Sequence, residues 1–170
     1  MGCFNQKKQK GFTLIELMIT ILVIAVGLLG VVALIQNTMS SASSVRLNLV
    51  AAYLAQEGIE LTRNIRDTNW IENIDWKEGL TGCSEGSSEG CQIDYSSNAL
   101  SIYNDVFLNV DGNRFYNYDS GSESKFKRKI IVNEITENGD EYLEVKSEVF
   151  WDYREEEFSI EVIDHLYDWR

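Results

Sequence analysis

The 170-residue sequence contains no proline, only one histidine and only three cysteines. Without proline, a long helix loses its strongest interruption. The single histidine, His165, lies among aromatic residues near the C-terminus, where such a side chain is usually structural or solvated. The sequence has no phosphate-binding glycine loop and no nucleophile motif. We therefore expect a protein that is not an enzyme and that needs no cofactor or metal.

Positive charge is also scarce, because 15 lysines and arginines face 27 acidic residues and the formal net charge is −12. Such a surface repels nucleic acids and anionic lipid head groups. The exception is the basic run at residues 125–129. Lysines on a strand usually mark a solvated sheet edge, which is the prediction we favour, and a contact to DNA or polysaccharide is the alternative.

A long apolar segment is what the sequence does contain. No charged residue occurs from Leu17 to Ile35, about 19 residues, which is close to the ~20 needed to cross a bilayer as a helix. Glu16 lies within the first turn or two of this helix, and an ionisable group there is by default a functional-site hypothesis.

The flanks of the segment predict its orientation. Lys7, Lys8 and Lys10 precede it, which places the residues before Gly11 in the cytoplasm and the bulk of the chain outside. No signal-peptidase site with small residues follows Ile35, so we expect the helix to be retained. The predicted location is the inner membrane, spanned once, with the C-terminus outside.

The segment begins with Gly11-Phe12-Thr13-Leu14-Ile15-Glu16. This motif, followed by an apolar run, resembles the type IV prepilin signal. The resemblance implies that a prepilin peptidase cleaves after Gly11 and methylates the new N-terminus at Phe12. It also implies that the helix then packs into a filament core, where Glu16 pairs with the free amine of Phe12 on its own or a neighbouring subunit.

A local role for Glu16 competes with the intersubunit role. Thr13 and Glu16 fit the capping-box pattern, in which the two side chains satisfy free N–H groups at a helix start. An ammonium beside a carboxylate in an apolar medium favours the charged form of that carboxylate. We favour the intersubunit role, and both roles are compatible at different stages.

A second stretch, Ala52-Tyr53-Leu54-Ala55-Gln56-Glu57-Gly58-Ile59-Glu60 with residues 63–67, is similar to minor pilins and pseudopilins. This resemblance implies partners: other pilin subunits, an inner-membrane platform protein, an assembly ATPase and, before assembly, membrane lipid. Many pilins carry a proline bend in the membrane half, which this chain lacks. Gly27 and Gly30 either permit bending or close contact there, or are ordinary membrane-helix glycines.

The expected organisation is a leader over residues 1–11, a transmembrane helix over 12–35, its amphipathic continuation over 36–68 and an extracytoplasmic domain over 69–170. An apolar track predicts the buried face of the continuation, and the helix should end between Asp67 and Trp70. The track consists of Val45, Leu49, Ala52, Ala55, Ile59 and Arg63.

The domain begins with a predicted loop over residues 71–98, in which Cys83 and Cys91 are expected to form a disulfide. A metal site is the alternative, but no histidine lies nearby, and leader removal takes away Cys3. Predicted antiparallel strands follow at 107–110, 115–118, 125–135, 142–151 and 158–163, with turns at 111–113, 137–140 and 152–157. Calcium binding by the acidic turns at 111–113 and 152–157 is less favoured than simple solvation.

The predicted fold is α+β and pilin-like, with one long N-terminal helix on an antiparallel sheet. We expect a minor pilin or pseudopilin subunit of a type IV pilus-like filament. Such filaments serve adhesion, motility, DNA uptake or protein secretion. One alternative is a recognition module on a helical stalk, which binds a surface glycan, DNA or a partner protein. Another is a signal-anchored protein that never polymerises.

Overall fold

The computed structural model describes residues 11–85 and 90–168. Within these residues, one long helix, α1 (Leu14–Glu72), is followed by eight strands. The chain divides into two units, residues 1–43 and 44–170. The fold is therefore α+β, with the outer part of the long helix packed on antiparallel sheets, as the sequence predicted.

The helix ends two residues beyond the stretch in which the sequence predicted its end. Asn73 adopts a left-handed conformation (φ 58°) directly after Glu72. Its N–H donates to Trp70 O at 3.3 Å, and Ile74 N–H donates to Asn69 O at 3.1 Å, the two bonds of a Schellman cap. The helix continues through Asn69 and Trp70 because both are buried, and this packing outweighs their weak helix propensity.

The described part of the second unit contains two sheets, and every strand pairing there is antiparallel. The larger sheet has the order β2-β1-β6-β7-β8, and the smaller has the order β4-β3-β5. The strands are β1 (Cys91–Gln92), β2 (Ser101–Ile102), β3 (Asn109–Val110), β4 (Tyr116–Asn117), β5 (Ser122–Glu123), β6 (Phe126–Glu137), β7 (Asp140–Tyr153) and β8 (Glu156–Tyr167).

The expected meander of three long strands is present, but its second turn is shorter than predicted. Asn138 and Gly139 connect β6 to β7, both with positive φ, as a tight hairpin requires. Arg154 and Glu155 connect β7 to β8 with φ of 56° and 66°. The residues on either side of this turn, expected to be loop, pair as strand instead: Asp152 faces Glu157, and Tyr153 faces Glu156.

The core lies between the outer half of α1 and the inner face of the large sheet. The predicted helical track is wrong at its start, because Val45 and Leu49 are 64% and 54% exposed. The buried face begins at Ala51 instead and includes the small residues Ala55 and Gly58. At Gly58 an added Cβ would lie 2.4 Å from Ser147 Oγ. Helix and sheet therefore approach closely at a position where a side chain larger than hydrogen does not fit.

Two further predictions need correction. The segment 71–98 is not purely loop, because Cys91 and Gln92 form β1, which pairs with β2 and with β6 at Ile130. Strand β6, predicted to be a solvated edge, lies between β1 and β7. Its side chains at Phe126 and Ile130 are buried, because they face the helix rather than water.

Candidate processing and assembly site

The Gly11–Phe12 bond lies in exposed backbone just before the helix. Gly11 has no atom within 4 Å of the position where a Cβ would be, and Phe12 is 79% exposed. Gly11 and Phe12 lie outside the helix, which begins at Leu14. The predicted cleavage position therefore lies in exposed backbone.

Thr13 caps the helix that begins at Leu14. Its Oγ1 accepts the backbone N–H of Glu16 at 3.3 Å, and its carbonyl accepts the N–H of Leu17 at 3.1 Å. This is the threonine half of a capping box. The Glu16 side chain is exposed in the first turn, and no ion pair involves it within residues 11–85 and 90–168. Its carboxylate is therefore available to a partner.

The apolar stretch after Glu16 buries nothing against the rest of the described chain. Its best 18-residue window has a mean hydropathy of 3.0 and is 0% buried. The polar side chains that flank its centre bond locally: Thr20 Oγ1 donates to Leu17 O at 2.8 Å, and Thr38 Oγ1 donates to Leu34 O at 2.9 Å. A helix with its hydroxyls satisfied in this way suits a medium without water. The length and composition of α1 thus permit one membrane span.

The predicted disulfide between Cys83 and Cys91 is present. The Cα atoms are 5.4 Å apart, and both residues are buried. Cys83 O also accepts the N–H of Val132 at 3.1 Å, which ties the bridge to β6. The bridge thereby fixes the entry into β1 on the large sheet.

The basic run at residues 125–129 does not form an open cationic patch. Arg128 is 0% exposed and donates to Leu54 O and to Glu57 on α1, at 3.0 and 2.8 Å, and also to Ile93 O. Lys127 pairs with Asp105 at 2.8 Å. Arg128 is therefore inaccessible to DNA or a polysaccharide, which weakens the alternative of such a contact at residues 125–129.

The acidic turns show no metal arrangement. Asp111 Oδ1 accepts hydrogen bonds from the N–H groups of Asn113 and Phe115 at 2.8 and 2.9 Å, so this carboxylate stabilises the turn in which it lies. These hydrogen bonds, that from Phe115 above all, lower the pKa of Asp111. Among residues 11–85 and 90–168, no group of three or more histidine, cysteine or acidic side chains is placed to hold a metal ion.

The sequence did not predict a cleft of about 400 Å³ at the end of α1. Its walls are the last turns of α1 and the loop at residues 95–98. Asn64, Thr68 and Glu72 line one side. These three follow each other at spacings of four along the helix, so a polar stripe at i, i+4 and i+8 was the signal available in the sequence.

Asp94 organises the loop that forms the other wall. Its carboxylate is buried and accepts Ser96 N–H, Ser96 Oγ and Tyr118 N–H at 3.0, 2.7 and 2.8 Å. Burial disfavours the charged form, but the hydrogen bonds from Ser96 and Tyr118 outweigh it, so the pKa of Asp94 is lowered. The loop is therefore built around a buried anion.

Comparison with known proteins adds one finding. The family model of the prokaryotic N-terminal methylation motif matches residues 6–32. No curated protein and no solved structure matches the chain significantly. The matched residues include Gly11, Phe12 and Glu16, all three of which are exposed. This chain thus carries the type IV prepilin-like signal, which together with its apolar helix indicates a membrane-anchored, type IV pilin-like protein.

Proposed function

We propose that the protein is a minor pilin or pseudopilin subunit that is processed by prepilin peptidase and assembled into a type IV pilus-like filament. The observation that carries this proposal is the apolar stretch of α1, which is 0% buried by the rest of the described chain. A surface of that size needs lipid before assembly and the helices of other subunits afterwards. The proposed role is structural rather than enzymatic.

In this proposal Glu16 finds its partner in another copy. Cleavage after Gly11 creates a new ammonium at Phe12, and a carboxylate in an apolar medium is stabilised by such a cation. Before cleavage, Thr13 caps the helix without needing the Glu16 side chain. The carboxylate is thus available to set the axial position of the next subunit during assembly.

The proposed location is the inner membrane, crossed once, with the domain outside, and then a periplasmic or surface filament. The Cys83–Cys91 disulfide supports an oxidising compartment for the domain. The proposed partners are prepilin peptidase, other pilin subunits, the platform protein and the assembly ATPase. The buried Arg128 gives no support to nucleic acid as a partner.

Processing is tested by intact-mass analysis of the chain co-expressed with a prepilin peptidase. We expect loss of residues 1–11 and one added methyl group on Phe12. Gly11→Val should leave the precursor uncut, because the peptidase must approach this backbone closely. The matched control is Gly27→Val, since Gly27 also has nothing within 4 Å of its Cβ position. A wild-type chain that keeps Met1 beside an active peptidase contradicts the proposal.

Assembly is tested by the amount of the protein in sheared filaments from cells with a working assembly machine. Glu16→Gln removes the charge at nearly the same size, and we expect at least a tenfold reduction. Glu16→Asp keeps the charge and should retain more protein in the filaments than Glu16→Gln. Equal incorporation of the glutamine variant and the wild type would remove the proposed role of the charge.

A further inference from the structure

The cleft at the end of α1 has a lining unlike that of the rest of the domain surface. Leu61 and Ile65 provide aliphatic surface, and Tyr95 provides an aromatic ring. The other lining side chains are amides and hydroxyls, apart from the carboxylate of Glu72. No lysine or arginine is among the described residues that line it. In an acidic protein, such a cleft is unsuited to phosphates, sulfates or carboxylates.

The walls of the cleft are held by contacts outside it. Tyr95 OH donates to Asp111 at 3.0 Å, and its ring lies 5.2 Å from the ring of Phe115. Asn69 donates through its side-chain amide to Trp76 O and Glu78 O at 3.3 and 2.8 Å. Because these groups are already engaged, the ring and the helix end form a preformed frame. Preformed walls reduce the ordering cost of binding a small ligand.

The exposed side chains of Asn64, Glu72 and Asn98 line the cleft. Asn64 Oδ1 accepts a hydrogen bond from Thr68 Oγ1 at 3.3 Å, which leaves the Asn64 amide N–H groups for a ligand. Amides offer a donor and an acceptor side by side, and the carboxylate adds two acceptor oxygens. Hydroxyl groups on a sugar ring both donate and accept, and the C–H face of a pyranose suits an aromatic ring and aliphatic surface. A volume of about 400 Å³ also lies in the range of small-molecule sites.

We propose that this cleft binds a neutral saccharide, with a pyranose ring against Tyr95 and its hydroxyls on Asn64, Glu72 and Asn98. A peptide is less suited, because the lining of the cleft is mostly polar and offers no row of apolar pockets for peptide side chains. This proposal goes beyond filament assembly. It concerns only residues of the second unit, 44–170, and none of the processing and assembly residues, so the two proposals can fail independently.

The test uses the full chain in a zwitterionic detergent that contains no sugar. The probes are methyl glycosides of glucose, galactose and mannose, N-acetylglucosamine and N-acetylgalactosamine, with N-acetylneuraminic acid as the charged comparison. Saturation-transfer NMR titrations measure the binding of each sugar. We expect saturable binding of at least one neutral sugar, and binding at least tenfold weaker for N-acetylneuraminic acid.

The variants Asn64→Ala and Tyr95→Ala should each weaken binding of that sugar at least fivefold. Tyr95→Phe keeps the ring and should bind better than Tyr95→Ala. Gln56→Ala is the matched control, because Gln56 is an exposed amide on the same helix but does not line the cleft. Near-UV circular dichroism checks that each variant stays folded.

Three results would overturn the proposal. The first is that none of the neutral sugars binds saturably. The second is that a folded Asn64→Ala variant binds as tightly as the wild type. The third is that N-acetylneuraminic acid binds as well as the best neutral sugar.

Discussion

Arg128 on the central strand β6 donates through Nη1 to the carboxylate of Glu57 on α1 at 2.8 Å, with the guanidinium fully buried. The same side chain reaches the carbonyls of Leu54 on the helix and Ile93 beyond β1. One cation thus joins three segments of the domain. A buried charge of this kind is tolerated because Nη1 and Nη2 both donate to oxygen atoms. For Nε, no hydrogen-bond partner is found within the described residues.

Replacing Arg128 by alanine should destabilise the domain by about 3–5 kcal/mol. The substitution leaves two buried carbonyls and a partly buried carboxylate without their donor, and it opens a cavity. The measurement is urea unfolding of the full chain in micelles, followed by tryptophan fluorescence. Lys129→Ala is the matched control, because Lys129 is one residue away but on the outer face, and it should cost no more than ~1 kcal/mol. Equal losses for the two variants would contradict the buried-clamp interpretation.

The close approach at Gly58 predicts a coupled pair. An added Cβ would lie 2.4 Å from Ser147 Oγ and 2.8 Å from Ile130 Cδ1, so Gly58→Ala should destabilise by about 1–3 kcal/mol. Ser147 Oγ is buried, and within the described residues no hydrogen-bond partner is found for it. Ser147→Ala alone should therefore cost little, and it should relieve part of the clash.

A double-mutant cycle measures this coupling through the free energies of unfolding of the two single variants and the double variant. We expect the double variant to be more stable than Gly58→Ala. Additive effects would show that the clash with Ile130, rather than the clash with Ser147, determines the cost of Gly58→Ala.

The sequence predicted those parts of the fold that local chemistry determines. The glycine–glutamate motif, the uncharged run and the Asn138-Gly139 turn each carry a residue type that few other conformations favour. The turn at Arg154 and Glu155 carries no such signal, since large side chains adopt positive φ there. It forms because β7 and β8 pair along 12 residue pairs, and this pairing outweighs the local strain.

The sequence could not predict the burial of Arg128 or the cleft, for a different reason. A basic run on a strand predicts solvent, and only the placement of Glu57, 71 residues earlier, makes a core position tolerable. The cleft likewise joins Asn64 and Asn98, which are distant in sequence. Contacts of this kind depend on tertiary structure, which periodicity within one segment does not report.

Loss of the Cys83–Cys91 disulfide should destabilise the domain by about 2–3 kcal/mol, by the loop-entropy estimate for a bridge between residues eight apart. The measurement is urea unfolding of the wild type and of the Cys83→Ser/Cys91→Ser variant. Both chains lack the leader, and therefore Cys3. Because both sulfur atoms are in the bridge, we expect the wild type without reductant to resist alkylation at these positions even after unfolding in urea. Rapid alkylation of the native protein without reductant would show that the bridge does not form.

The buried carboxylate of Asp94 predicts an acid-dependent contribution to stability. Its pKa is lowered in the folded state, so its contribution is fully present above the pKa of the unfolded chain, about 4, and is lost as pH falls through the lower folded value. Asp94→Asn removes the charge that accepts Ser96 and Tyr118. It should cost about 1–3 kcal/mol at pH 7, and its deficit should shrink below about pH 4 as the wild type becomes protonated. Urea unfolding between pH 2.5 and 7 measures the difference, with the exposed Asp140→Asn as the control. A deficit that stays constant over this range would mean that shape rather than charge at Asp94 holds the loop.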